Sequence, residues 1–329
     1  MAREHGTYPS AVSAAEQRPE SMIVTLQTGE RIHYLDWAAT TGDNPATGAT
    51  PTTSGTPIVL VHGLTRTAWT WLPVGRRLAL AHPVVAPDLR GHGASDAPLS
   101  GYGLESLSLD LLTVVAGKGW GEAVAGPPVI VAGHGLGAML AVEMARAAPA
   151  SVAAVALVDG GWEEMVEATH MLPAQLVEAM ADPPEVQASM DAYLDDRRAF
   201  DPLSWDADQE LAARAQVTER HAGHVGLVTK GSVIRRIVDA TYAYQPIDAL
   251  ADVRCPVSVL VATGTADDED ERERRIALDD AQRARSAAGL PKMPVTRFDG
   301  VGHDLMRYRP AEVAAELGRL AGAGYASGS

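Results

Sequence analysis

The sequence predicts an α/β fold: a mostly parallel sheet covered by helices on both faces, with a helical cap inserted into it. Short apolar runs typical of buried parallel strands alternate with helical stretches, as in successive βαβ units. Several of these runs end in turns rich in glycine, histidine and aspartate. The alternation stops between residues 161 and 250 and then resumes, which indicates an insertion into the sheet domain.

Composition limits the function classes before any motif is considered. The 329 residues carry a formal net charge of −15, which repels nucleic-acid phosphates and anionic lipid headgroups. No apolar run approaches the roughly 20 residues of a membrane-spanning helix. We therefore expect neither a nucleic-acid partner nor a membrane partner, and a monomer or homodimer. The single cysteine, Cys255, excludes an intrachain disulfide, and residues 1–20 lack the apolar core of a secretory signal, so we expect a cytoplasmic protein.

The strands are predicted from alternation and from short apolar runs. Residues 22–26 and 32–35 alternate with period two around a turn at 28–30, which predicts an opening hairpin. Residues 40–56 are almost all turn formers and small polar residues, which predicts a mobile surface insertion. Buried strands are predicted at residues 57–61, 83–87, 128–132, 152–158, 256–262 and 294–298.

The helices and the division of the chain follow from the same pattern. Core helices are predicted at residues 69–81, 104–115 and 138–147. The cap region contains helical segments at 176–180, 186–193, 211–216 and 233–243 but no convincing buried strand. The predicted organisation is an N-terminal extension (1–20), the first part of the core (21–160), a helical cap (161–250), the second part of the core (251–322) and a C-terminal tail (323–329).

The turns after the predicted strands carry the motifs that suggest chemistry. They are His62-Gly63, the run PDLRGHGAS at 87–95, the run GHGLG at 133–137, Asp267 and His303. Together and in this order they resemble the α/β-hydrolase superfamily, in which nucleophile, acid and histidine follow one another along the chain. The resemblance covers nearly the whole chain. Any one motif alone would be weak evidence, and the run at 87–95 is the most specific.

One position departs from the pattern of that superfamily. The turn that carries the nucleophile has the form G-x-S-x-G, and here the central residue is Gly135. Leu136 matches the serine-type relatives, whereas the relatives with an aspartate nucleophile usually have tryptophan there. The resemblance therefore implies a former serine position. Glycine is tolerated because the central residue of this turn has a strained backbone conformation.

The resemblance also assigns roles to the remaining residues. His303 would be the general base, and Asp267 would orient it and stabilise its charge, with Asp159 as the runner-up acid. The backbone N–H groups of Leu64 and Leu136 would form the oxyanion hole. The acidic run after Asp267 has an alternative explanation, since it could simply complement a helix dipole.

Each of five further residues near the expected site has two possible roles, one in substrate binding and one in structure. Trp69, Trp71, Trp162 and Met165 could line an apolar pocket or pack the cap on the core, and His134 could contact substrate or be a hydrogen-bonded loop residue.

Cofactor sites are not indicated. His221 and His224 lie one helical turn apart without a third ligand, so we expect no metal. No glycine-rich phosphate-binding loop is present, so we expect no nucleotide cofactor.

Two hypotheses follow from these residues. The first is a hydrolase of a small-molecule carboxylic ester or lactone that uses a Ser-His-Asp type mechanism, here nearly inactive because Gly135 replaces the nucleophile. The second is a native non-hydrolytic protein of the same fold, a ligand binder, lyase or cofactor-free oxygenase, that uses the His303–Asp267 pair.

Overall fold

The computed structural model describes residues 17–37, 55–181, 185–264 and 269–325. The predicted insertion at 40–56 lies outside these ranges except for its last two residues, and most of the N-terminal extension also lies outside them. The predicted tail at 323–329 begins inside a helix that continues to Tyr325.

Within the described ranges the chain forms eleven strands. They are β1 (Glu20–Thr25), β2 (Arg31–Asp36), β3 (Ile58–Val61), β4 (Val84–Pro87), β5 (Val129–His134), β6 (Val152–Val158), β7 (Val186–Gln187), β8 (Val217–Glu219), β9 (Val225–Leu227), β10 (Val257–Thr263) and β11 (Val295–Asp299). The predicted strands are all present, with bounds that differ by one or two residues.

The same ranges contain twelve α-helices, some of which alternate with the strands. They are α1 (Leu72–Leu78), α2 (Leu104–Gly117), α3 (Leu136–Ala147), α4 (Met165–Thr169), α5 (Pro173–Ala181), α6 (Met190–Phe200), α7 (Ala207–Gln216), α8 (Gly231–Tyr242), α9 (Pro246–Asp252), α10 (Glu269–Ala287), α11 (Leu305–Tyr308) and α12 (Pro310–Tyr325). In this part of the chain, no helix combines the length and the apolarity needed to cross a lipid bilayer.

The main sheet has eight strands in the order β1-β2-β4-β3-β5-β6-β10-β11. The hairpin β1–β2 is antiparallel, and β2 pairs antiparallel with β4. The other neighbours, from β4 to β11, are all parallel. The predicted α/β fold with a mostly parallel sheet is therefore confirmed. The carboxyl ends of the parallel strands lie along one edge, where open α/β sheets bind ligands.

Side chains of the strands alternate between two apolar cores. In β3, Val59 and Val61 belong to the core that also contains buried residues of α2, α3, α9 and α10. Ile58 and Leu60 belong to the core on the other face, with buried residues of α1 and α12. Burial on both faces explains why the strand sequences are continuously apolar.

The cap is not purely helical, which corrects the sequence interpretation. The strands β7, β9 and β8 form a small antiparallel sheet within it. The segment 186–193, predicted as a helix, begins with β7, and α6 starts only after Ser189, whose hydroxyl accepts a hydrogen bond from Ala192 N–H. Strands of two or three residues are too short to show a period-two pattern, so the sequence gives no signal for them.

A buried carboxylate fixes the loops at the carboxyl ends of β3 and β4. Asp88 follows β4 and is 1% exposed. It accepts hydrogen bonds from Ala68 N (2.7 Å) and Ala94 N (2.9 Å), and its Oδ2 lies 2.7 Å from His33 Nδ1. Burial alone would raise the pKa of Asp88, but the hydrogen bond with His33 and the neighbouring donors lower it below its usual value. The run at 87–95 therefore holds the loops after β3 and β4 in place through Asp88.

We expect Asp88→Ala to destabilise the fold by about 3–5 kcal/mol, because it leaves His33 and two backbone N–H groups without their acceptor. Urea unfolding followed by circular dichroism measures the change. The matched control is Asp279→Ala on the exposed side of α10, which should change stability by less than about 0.5 kcal/mol. Equal effects of the two substitutions would contradict the structural role of Asp88.

Candidate active site

The turn between β5 and α3 is sterically restricted to glycine at two positions. A Cβ atom on Gly133 would lie 1.9 Å from the Gly137 carbonyl oxygen, and one on Gly137 would lie 2.3 Å from the Val61 carbonyl oxygen. Between them Gly135 has φ +53° and ψ −114°, a conformation that residues with side chains rarely adopt. This sharp turn projects position 135 from the carboxyl edge of the sheet.

Position 135 has room for a side chain despite its backbone conformation. A Cβ atom there would lie 3.4 Å from His303 Nε2 and 3.7 Å from His303 Cε1, which are ordinary contact distances. The nearest other atom is Gly63 Cα, at 4.0 Å. A side chain at this position would therefore face the imidazole of His303.

His303 lies in the loop after β11 and is paired with a buried carboxylate. Its Nδ1 is 2.7 Å from Asp159 Oδ2. Because an ionised carboxylate only accepts hydrogen bonds, we assign the proton to Nδ1, and Nε2 is left as an acceptor facing Gly135. The His303 side chain is 58% exposed, so the imidazole is accessible to a ligand.

Asp159 is held in its charged form. It is 3% exposed, and its Oδ1 accepts hydrogen bonds from Ala262 N (2.8 Å) and Arg274 Nη2 (2.9 Å). Burial alone would raise the pKa of Asp159, but the hydrogen bond with His303 and the charge of Arg274 lower it. The backbone of Asp159 has a left-handed φ of +50°, at the sharp turn that follows β6.

The acid in contact with His303 is thus Asp159, the second choice of the sequence analysis. The preferred acid, Asp267, lies outside the described residues, so the structure gives it no contact. The structure favours Asp159 because its carboxylate occupies the Nδ1 side of the ring, where the orienting acid of such a pair acts.

The backbone amides predicted to form the oxyanion hole lie beside position 135. Leu64 follows β3, and Leu136 is the first residue of α3; both line the same cavity as Gly135 and His303. The N–H of a first helical residue has no acceptor within its own helix, and it carries part of the positive end of the helix dipole. This placement is compatible with the predicted role, which stays a prediction.

The cavity has a volume of about 590 Å³ and lies between the sheet edge and the cap. Seven aliphatic side chains larger than alanine, from the core and the cap, line it. These are Leu64, Leu136, Met139, Met165, Leu176, Met180 and Val301. We call it the catalytic cavity.

Of the predicted substrate-binding residues, only His134 and Met165 line this cavity. Trp71 and Trp162 are 0% and 1% exposed and are packed into the two apolar cores. Trp69 is half-buried and packs against the same core as Trp71. The three tryptophans thus lie outside the lining of this cavity: Trp71 and Trp162 are part of the cores, and Trp69 packs against one of them.

His134 connects the turn at 135 to the loop that carries His303. Its Nε2 lies 3.0 Å from the carbonyl oxygen of His303, so Nε2–H donates to that oxygen. Complete burial, and secondarily the neighbouring His303, lower the pKa of His134 to about 3, so the ring is neutral. Its Nδ1 has no hydrogen-bond partner among the described residues. His134 is therefore suited to positioning the base.

Two charged residues near Asp159 were not identified from the sequence. Arg274 of α10 reaches Asp159 through Nη2 and contacts Glu163 Oε1 through Nε at 3.2 Å. Burial raises the pKa of Glu163. Glu163 and Arg274 are 111 positions apart in the chain, and no local pattern relates them.

No metal site is apparent in the part of the chain that the structure describes: no three His, Cys, Asp or Glu side chains are grouped to hold an ion. The rings of His221 and His224 lie 5.5 Å apart, and His224 Nδ1 contacts the carbonyl oxygen of His221 at 3.1 Å.

Comparison with known proteins gives the family and the fold. The family model described as "Alpha/beta hydrolase family" matches residues 58–316. An uncharacterized protein of Mycobacterium tuberculosis is 35% identical over 111 residues, which cover 33% of this chain and 30% of that protein. The chain thus matches less than a third of that relative's length. A Variovorax paradoxus protein, provisionally named carbamate hydrolase RutD, is 26% identical over 215 residues, covering 64% of this chain and 75% of that protein.

A solved structure shows the same fold over almost the whole chain. It is that of E-2-(acetamidomethylene)succinate hydrolase, with a TM-score of 0.70 and 19% identity. The superposition covers 92% of this chain and 98% of the other. At this identity the likeness shows the fold alone.

The backbone at position 135 predicts a stability cost for any side chain placed there. Gly135→Ser should fold but be less stable by about 1–3 kcal/mol, because φ +53° with ψ −114° is strained for serine. Thermal or urea unfolding measures the difference.

The matched control is Gly103→Ser, where a φ of −69° at the start of α2 is ordinary for serine and a Cβ meets no atom within 4 Å. This control should equal or exceed the parent in stability, because serine favours the N-cap position. If Gly135→Ser is as stable as Gly103→Ser, the turn is not strained.

Proposed function

Because the chain belongs to the alpha/beta hydrolase family, we propose that its site is that of a carboxylic ester or lactone hydrolase in which glycine occupies the nucleophile position. The observation that carries the proposal is the distance of 3.4 Å between a Cβ atom at position 135 and His303 Nε2. A hydroxyl on such a Cβ would be within reach of a hydrogen bond to the unprotonated imidazole nitrogen.

The proposed mechanism begins with transfer of the acyl group to a nucleophile at that position, and water activated by the same histidine then hydrolyses the acyl-enzyme. His303 Nε2 accepts the proton of a serine hydroxyl at position 135 while the hydroxyl oxygen attacks the carbonyl carbon. Asp159 keeps the Nδ1 proton in place and stabilises the imidazolium that forms. The amides of Leu64 and Leu136 donate to the oxyanion of the tetrahedral intermediate. His303 then returns the proton to the leaving alcohol.

With glycine at position 135 no acyl-enzyme can form. Loss of the serine nucleophile lowers turnover by about 10⁶-fold, while the oxyanion hole and substrate binding retain about 10³-fold acceleration over water. The remaining route is attack by a water molecule that His303 deprotonates. We therefore propose that the chain binds its substrate and hydrolyses it very slowly.

The lining of the catalytic cavity favours a neutral, partly apolar substrate. Its guanidinium groups are already paired: Arg274 with Asp159 and Glu163, and Arg66 with Asp304 at 2.6 Å. No unpaired cation among the described lining residues is thus left to hold an anionic substrate group. The aliphatic side chains suit an acyl chain or a lactone ring.

A second candidate function is a native non-hydrolytic one, in which the protein binds a ligand or acts as a lyase or cofactor-free oxygenase. One observation favours it: the His303–Asp159 pair keeps complete geometry although the nucleophile is absent. In that case His303 acts as a base directly on the bound ligand.

An ester assay on the parent and on Gly135→Ser tests the proposal. Gly135→Ser should hydrolyse short and medium p-nitrophenyl esters or lactones at least about 10³-fold faster than the parent, because it regains the acyl-enzyme route. It should also react with a phosphonate serine probe, and the parent should not.

Two controls isolate the chemistry. Gly135→Ala introduces the same backbone strain without a hydroxyl, so its rate of ester hydrolysis should equal that of the parent. Gly135→Ser combined with His303→Ala should lose the gained activity. A folded Gly135→Ser variant that is inert to esters, lactones and the probe would overturn the first function in favour of the second.

The identity of the acid gives a separate prediction. In the Gly135→Ser background, Asp159→Asn should lower kcat by about 10⁴-fold, because the amide no longer holds the reactive tautomer of His303. The matched change Asp267→Asn should leave kcat within a few-fold. The reverse result would assign the acid to Asp267.

A further inference from the structure

A second cavity lies in the cap, outside the catalytic site. It has a volume of about 410 Å³ and is bounded by α5, the start of α8 and the small cap sheet. This size falls in the range of about 300–1,000 Å³ typical of small-molecule sites. Gly135, Asp159 and His303 do not line it, so the mechanism above does not use it. We call it the cap cavity.

Part of the wall of the cap cavity is apolar. Met180 of α5, Ile234 of α8, Leu227 of β9 and Val186 of β7 line it. Ile234 is fully buried and belongs to the small apolar cluster that joins α5 to α8. An aliphatic chain placed against these side chains would be removed from water, which favours binding.

Three basic side chains line the same cavity: Arg220, His221 and Lys230. Arg220 Nη2 donates to the Leu227 carbonyl oxygen at 2.6 Å. None of the three forms an ion pair with a carboxylate among the described residues. The carboxylate that also lines the cavity, Glu185, accepts instead from Gln187 Nε2 at 2.7 Å. Arg220 and Lys230 outnumber the carboxylate of Glu185 here, which favours an anion at this place although the chain has a net charge of −15.

The start of α8 adds to the attraction for an anion. Lys230 immediately precedes α8, so the positive end of this helix faces the same region, where Gly231 lines the cavity. Thr229 also lines the cavity, but its hydroxyl oxygen is buried away from the cavity space, so the proposed site does not use it.

We propose that the cap cavity is a second binding site, for an amphipathic carboxylate: an aliphatic chain against Met180 and Ile234 with its carboxylate at Arg220 and Lys230. Both parts are needed, because the walls offer little to a small hydrated ion and the basic residues offer little to a neutral chain. The site does not depend on the proposed hydrolysis. Met180 lines both cavities, so the ligand in the cap cavity contacts a wall of the catalytic cavity.

Isothermal titration of decanoate into the full chain tests this site. Decanoate should bind, and more salt should weaken it, because the basic side chains are exposed. Arg220→Gln combined with Lys230→Gln should weaken decanoate binding about tenfold. Decanol should bind the parent more weakly than decanoate does, and its affinity should be the same for parent and variant. The control Arg254→Gln combined with Lys292→Gln removes the same charge from exposed positions elsewhere and should leave decanoate affinity unchanged.

Two further arms locate the ligand. Met165→Trp narrows the catalytic cavity without touching the cap cavity and should leave decanoate affinity unchanged. Inorganic phosphate should bind far more weakly than decanoate. The proposal is overturned by absence of decanoate binding, by equal binding of phosphate, or by an affinity that falls with Met165→Trp but not with the Arg220 and Lys230 changes. Because no arm measures hydrolysis, failure here leaves the proposed function untouched.

Discussion

The turn from β5 into α3 leaves no space for side chains at Gly133 and Gly137, because carbonyl oxygens lie where their Cβ atoms would be. Strand and helix therefore approach more closely than ordinary residues allow. The close approach forces a left-handed backbone at Gly135 and presents that position at the carboxyl edge of the sheet. The imidazole of His303 and the residues predicted to form an oxyanion hole, Leu64 and Leu136, line the same cavity as this position.

Around that point the buried charges are arranged to leave one nitrogen free. Asp159 receives donors from Ala262, Arg274 and His303, so the carboxylate has partners on both oxygens. His134 is neutral and bonds to the backbone of His303 instead of competing for its ring. As a result, Nε2 of His303 faces Gly135, which has no side chain. The proposed function rests on this pair, in which His303 and Asp159 are in contact while position 135 offers no side chain to the imidazole.

The fold and the centre of the site could be predicted because they depend on local signals. A strand such as β3, buried on both faces, is continuously apolar, and glycines at forced turns are conspicuous in a sequence. The position of His303 after the last strand is likewise visible in order along the chain.

The remainder depends on contacts between distant segments. Asp159 and Asp267 both follow strands, and which one meets His303 is decided by the path of the loops in space. Trp71 and Trp162 lie near strand ends, yet the sequence does not tell whether an indole points into a cavity or the core. The cap strands are stabilised by pairing with one another. Each has only two or three residues, too few to show an alternating pattern in the sequence.

The left-handed backbone of Asp159 narrows the evolutionary alternatives at the acid position. Among residues with side chains, aspartate and asparagine adopt such a φ most readily, because their short polar groups interact with the local backbone. Glutamate would keep the charge, but it adopts this φ less readily, and its longer side chain would change the position of the carboxylate relative to His303. Asparagine would fit the same backbone conformation but would remove the negative charge. The change would act on two residues at once, because His303 and Arg274 both pair with this carboxylate.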